Sequence, residues 1–198
     1  MSNRGQAHTL EGFAAALLLV ASVVFALQVT AVTPLTASTS SQHIENQQAG
    51  VARGLLASAV HNESLEPALL SWNESGGTFH DATADGYYAL GGPKGLTFGR
   101  MLNRTFRDRG IAVNVNIQYL SADRNRRTVR LVYMGVPSDN SVTVTRMVTL
   151  QDDDVLYNAE GDPTDTTLTG ATGFYAPDAA PDSPVYNVLS VEVVTWRM

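Results

Sequence analysis

At 198 residues the chain has room for one anchor segment and one domain of about 130 to 160 residues, long enough to bury a sizeable core but not for a second soluble domain. It has no cysteine, which excludes a disulfide framework and thiolate metal sites and leaves burial, hydrogen bonds or bound ions to hold the fold. Its net charge of −6 speaks against nucleic acid as a partner, because phosphates select basic surfaces.

The first informative stretch is Arg4-Gly5-Gln6, followed by a polar spacer to Glu11 and then no charged side chain from Gly12 through Gln42. The apolar run from Gly12 to Val32 is about twenty residues, enough to cross a hydrocarbon core of roughly 30 Å as a helix. A secretory signal has a shorter apolar stretch, of roughly 7 to 15 residues, with its small-residue cleavage site behind it. Here the small-residue processing candidate, Arg4-Gly5-Gln6, lies in front, so the order of parts and the length together predict retention of the helix. Arg4 and the amino terminus flank one side, while the other side is uncharged as far as His43 and Glu45. The positive-inside tendency then puts the leader, residues 1–7, in the cytoplasm and everything after about Val32 outside, a single pass through the cell membrane.

Arg-Gly-Gln, a polar stretch, Glu11 and then Phe13-Ala14-Ala15-Ala16-Leu17-Leu18-Leu19-Val20 resembles the class III signal of archaeal type IV pilin-like proteins. The beginning RGQAHTLE, followed by an alanine and leucine run, is also similar to that of uncharacterised haloarchaeal membrane proteins grouped with pilin-like sequences. One lysine against twelve arginines, with Asp exceeding Glu, fits the salt-adapted composition associated with haloarchaeal proteins. The resemblance covers roughly residues 1–60 and hardly extends beyond them. It implies a prepilin peptidase that cuts after Gly5. It also implies pairing of Glu11 with the new Gln6 amine of a neighbouring subunit, with membrane lipid and other pilin-like subunits or copies of the chain itself as partners. Counted from Gln6, Glu11 is the sixth residue of the cut chain, where the usual pilin pattern has its acid fifth. A plain single-pass anchor carrying a binding or sensing module, which does not polymerise, is the competing reading of the same segment.

In chain order, a transmembrane helix is expected to start near His8 or Thr9 and to end near Thr33, because Pro34 removes a backbone donor and disfavours helical angles before it. A kink or break is expected there. Ile44, Val51, Leu55, Leu56 and Ala59 then recur at three to four residues, with Gln47, Gln48 and Arg53 interrupting, which predicts a stem helix with one buried face from about Ser41 to His61. A short helix follows over Leu65 to Ser71, then a Gly/Asp-rich passage, Gly76 to Gly95, that contains Tyr87 and Tyr88. Leu96, Phe98 or Gly99, Leu102 and Phe106 share one face of a helix over Gly95 to Arg109, ended by Gly110.

After Gly110 the period changes to two. Ile111, Val113, Val115 and Ile117 mark a half-buried strand. Thr128 to Met134 and Val142 to Leu150 flank the turn residues Pro137-Ser138-Asp139-Asn140 and are expected to pair as an antiparallel hairpin. Gln151 to Ser183 has no periodicity, and alternation returns over Val185 to Trp196, locking the C-terminus into the sheet. The predicted fold class is α+β, a pilin-like lollipop: leader 1–7, transmembrane helix 8–33, stem helix 34–64 and a head over 65–198 with an antiparallel sheet.

Three constellations could carry chemistry. Asp152, Asp153, Asp154, Glu160, Asp162 and Asp165 form an acidic stretch without a basic residue, and Asp152, Asp154 and Asp162 are weak candidate cation ligands. The spacing is not that of an EF-hand, so a solvated loop is the preferred reading and no metal is expected. Nine of the thirteen basic residues, Lys94, Arg100, Arg104, Arg107, Arg109, Arg124, Arg126, Arg127 and Arg130, fall in one stretch. They are expected to pair with local acids, the alternative being head-to-tail packing against copies. Asn62, Asn73 and Asn103 meet the acceptor rule for N-glycosylation. His8, His43, His61 and His80 fit no catalytic motif, and Ser71, His80 and Asp81 are too close in sequence for triad geometry. The expectation is a non-enzymatic protein without a cofactor.

Overall fold

The computed structural model describes residues 3–198, leaving the side chains of residues 3–7 and 29–41 undescribed. The chain divides into two compact units, Met1–Ile44 and Glu45–Met198. One helix, α1 (Asn3–His61), contributes to both. Helical backbone runs through Pro34, so the helix does not end at Thr33 as the sequence allowed. Loss of one donor in a long helix is tolerated when the flanking ladder is intact. The kink expected at Pro34 falls among residues 29–41, outside the described residues.

In the first unit, His8–Gln28 is long and apolar enough to cross a membrane. All its side chains are exposed, Phe13 at 72 % and Leu18 at 70 %, and an apolar helix with no protein cover has lipid as its natural solvent.

The second unit is a mixed α/β head. Its part of α1 buries Gln48, Ala49, Ala52, Leu55, Leu56 and Ala59, which recur at three and four residues and so form one stripe. Val51 is 37 % exposed, on the other side from the stripe to which the sequence assigned it. The buried line runs through Ala49 and Ala52 instead. Ser64 precedes α2 (Leu65–Leu70), three of whose residues, Ala68, Leu69 and Leu70, are wholly buried. A minimal hairpin follows, β1 (Trp72–Asn73) with β2 (Thr78–Phe79). Helix α3 (Thr97–Thr105) and a 3-10 turn over Arg107–Arg109 lie within the span predicted as one helix, and Gly110 closes them at φ 70°, a left-handed conformation that glycine adopts without a Cβ penalty.

Four longer strands form the main sheet: β3 (Ile111–Leu120), β4 (Arg126–Val132), β5 (Val142–Gln151) and, after two short ones, β8 (Val185–Arg197). Their order is β4-β3-β8-β5 and every pairing is antiparallel. β4 and β5 therefore do not form the hairpin that the Pro137–Asn140 turn suggested. β4 folds back on β3 through a tight turn, in which the Ser121 amide donates to the Asn125 carbonyl at 2.9 Å and Arg124 adopts φ 59°. The C-terminal strand β8 then fills the space between β3 and β5. The β-branched, nearly two-sided burial of β8 is what a central strand requires.

β6 (Val155–Tyr157) and β7 (Pro163–Thr167) make a small separate hairpin in the segment that the sequence left without structure. The core joins the α1 stripe, α2, α3 and one face of the main sheet, with Phe79, Phe98 and Phe106 as its largest fully buried side chains. Trp72 is a pivot: its indole N–H donates to the Gly173 carbonyl at 2.6 Å, and its ring meets Phe79, Phe174 and Tyr175 edge-on. On the outer face a smaller cluster of Ala112, Val194 and Trp196 covers one end of the sheet.

Candidate functional site

Arg4, Gly5 and Gln6, the candidate processing residues, lie on the first turns of α1, with their side chains outside the described residues. Glu11 is exposed one turn further on, and the His8 imidazole Nδ1 lies 3.5 Å from its carboxylate. A helix places residues three apart on one face, so His8 is a local partner for an acid that is otherwise costly in lipid.

The acidic stretch is not a single site. Asp152 and Asp154 sit in the turn before β6, where the Gln151 amide donates to the Asp154 carboxylate at 2.7 Å, while Asp162 lies beyond its other end and donates its amide to the Asn158 side chain. Strand β6 separates them, and among the described residues no group of His, Asp or Glu is gathered to hold a metal ion. Asp152 Oδ1 is buried without a partner among those residues. Asp154 instead lies near Glu66 across the α2–β6 packing. Burial first, then the charges of Asp154 and Glu63, push the Glu66 carboxyl above its ordinary value. Burial does the same to Asp154.

The basic run is split by the fold into the α3 region and the β3–β4 hairpin. Among the described residues no arginine or lysine lies within ion-pair distance of a carboxylate, which corrects the expectation that they pair with local acids. The physical reason lies in the partners: the one acid in the hairpin, Asp123, is held by the Ser121 hydroxyl and the Asn125 amide, which pull its carboxyl below the usual value. Half of the other acids come after β5 in the chain. Arg100 turns to the Gly95 carbonyl and the Thr97 hydroxyl, and Arg130 stacks on the Tyr133 ring at 4.3 Å.

Arg130 also borders an open groove of about 740 Å³ that the sequence did not suggest, lined by Trp72, Asp85, Tyr87, Thr128 and Val129 among others. Tyr87 donates to the Asp85 carboxylate at 3.3 Å and packs edge-on against Tyr133. Only Tyr87 and Tyr88 in the Gly/Asp-rich passage hinted at it: Tyr88 is anchored by main-chain bonds to Leu131 and Tyr133, which sets the loop beside β4.

Asn62 is exposed just after α1 and Asn73 opens the β1–β2 turn, whereas Asn103 is half-buried on α3 with its amide oxygen against Gly91. His43 and His61 lie on α1 and His80 follows β2. Ser71 is buried, and among the described residues no hydrogen bond joins the side chains of Ser71, His80 and Asp81.

A model of the Family of unknown function (DUF7288) matches residues 4–195. The chain belongs to this family. The DUF7288 match takes in the apolar helix and the head together, so anchor and head are parts of one family unit. No curated protein and no solved structure matches the chain.

Proposed function

We propose that the chain is a non-enzymatic pilin-like subunit, major or minor, of an archaeal type IV pilus-like surface filament or of its assembly complex. Its amino terminus is cytoplasmic and its head extracellular. The observation that carries this reading is the division of labour in α1: His8–Gln28 is apolar and uncovered, while Ala52, Leu55, Leu56 and Ala59 of the same helix are built into the head core. A helix used in this way is a permanent part of the subunit, free to leave lipid for the company of like helices. The family match over both parts, and Arg4-Gly5-Gln6 standing before the apolar run, agree with it.

In this mechanism a prepilin peptidase cuts between Gly5 and Gln6, and the freed amine neutralises Glu11 of a neighbour. His8 holds Glu11 until that partner arrives. N-terminal sequencing of the membrane-bound protein should begin at Gln6. Gly5→Val should block the cut, leaving a chain longer by the leader and cells without filaments containing it. An intact Met1 or Ser2 terminus, with unchanged mobility after Gly5→Val, would sink the proposal.

The second reading, an anchored extracellular binding or sensing module, draws on the open groove beside β4. It predicts an uncut terminus and a head that functions as single copies.

A further inference from the structure

The fold leaves one basic strip and one acidic stretch exposed on the head. β4 is one edge, carrying Arg126, Arg127 and Arg130 with Arg124 in the preceding turn, all exposed. β5, the other edge, carries one exposed arginine, Arg146, and the chain leaves it into a turn and a small hairpin bearing exposed Asp153, Glu160, Asp162 and Asp165. Neither set has an ion-pair partner among the described residues of its own chain. Apart from one bridge between Tyr88 and Val132, the outer side of β4 is also unpaired among those residues.

We propose that the arginine-bearing β4 edge of one head docks against the acidic turns after β5 of a second copy, head to tail. Arginine suits the contact because its planar, always charged fork binds both oxygens of a carboxylate at once, and the edge carries no lysine. Two different patches on one head make the contact heterologous, so a joined pair still offers one free patch of each sign to further copies. The strip carries four arginines against Asp123, and the acidic stretch from Asp152 to Asp165 six carboxylates with no base, so the attraction is between unlike fields. Exposed charges are screened, so the contact weakens as salt rises. The inference deepens the subunit reading and rests on it only for the anchor that brings heads into one layer.

The absence of cysteine makes the test direct. In full-length protein in nonionic micelles, Arg127→Cys and Asp162→Cys introduced together should give a ladder of disulfide-linked oligomers on mild oxidation. The two single variants mixed should give heterodimers and each alone little product. Arg126→Glu with Arg127→Glu should weaken association about tenfold at low salt. Mixing it with Asp162→Arg/Asp165→Arg protein should restore contact through the swapped charges. Circular dichroism confirms folding, and Arg127→Gln replaces the double reversal if that variant does not fold. Cross-linking of Arg127→Cys to itself as fast as to Asp162→Cys, or no mixed product, overturns the proposal. Filaments that persist without the mixed cross-link leave the subunit reading standing and remove only this contact; an uncut terminus with the cross-link intact does the opposite.

Discussion

At the scale of single residues, the electrostatics and the close approaches make the sharpest statements. Glu66 has a raised folded pKa, so its ionised form is less welcome in the head than in the unfolded chain. The sign follows: no penalty is present below the ordinary value of 4.5, the penalty grows as pH rises from there through the folded pKa, and it is complete above it. Glu66→Gln should therefore raise the melting temperature at pH 7, by the equivalent of less than about 1 kcal/mol since the group is half solvated, and the gain should vanish at about pH 4. A gain that is the same at both pH values would remove the carboxylate explanation. Gly99 is a steric case, since a Cβ there would lie 2.1 Å from the Pro93 carbonyl. Gly99→Ala should cost about 1 to 3 kcal/mol in denaturant unfolding, and an unchanged midpoint would show that the loop before α3 yields freely.

Helices and strands differ in how well the sequence revealed them. Leu56 lies in the stripe of α1 that enters the head core, so Leu56→Ala should cost about 2 to 5 kcal/mol, whereas Val51→Ser, on the exposed side, should stay within about 0.5 kcal/mol. Equal costs for the two, measured by thermal melts, would mean that the buried face is misassigned. The two halves of α1, α2, α3 and the four long strands were legible, though not the continuity of α1 through Pro34, because an apolar run, a stripe at three to four residues or an alternation is a local signal. The partners of β4 and β5 were not, because the Pro137–Asn140 turn argues only from neighbours, while the place between β3 and β5 is claimed by a strand more than thirty residues further on. β1, β2, β6 and β7 are two to five residues long, too short for a period to show, and β7 is threonine and aspartate on a half-exposed hairpin. Of the candidate site, the charged patches could be read from composition. The groove beside β4 could not, since it joins Trp72, Tyr87 and Arg130 through pairings distant in sequence.

For the whole molecule, membrane behaviour and the integrity of the head are separable properties. The head keeps its core within residues 45–198, and its part of α1 is held there by Ala52, Leu55, Leu56 and Ala59. Deleting residues 1–41 should release the protein from membranes into buffer with its circular dichroism signature of mixed helix and sheet retained. The full chain should need detergent for extraction, and resistance to carbonate wash in the deletion variant would place the membrane attachment elsewhere. Both sheet partners of β8 precede it in the chain, and its thirteen residues end one short of Met198. The main sheet therefore cannot close until β8 has been made and can reach both partners. The first helix is finished long before, so its apolar segment can find cover while the head is still an open chain. Chain order thus acts as a timer for the main sheet: β8, the last of its four strands, is the clasp, and closure waits until it arrives.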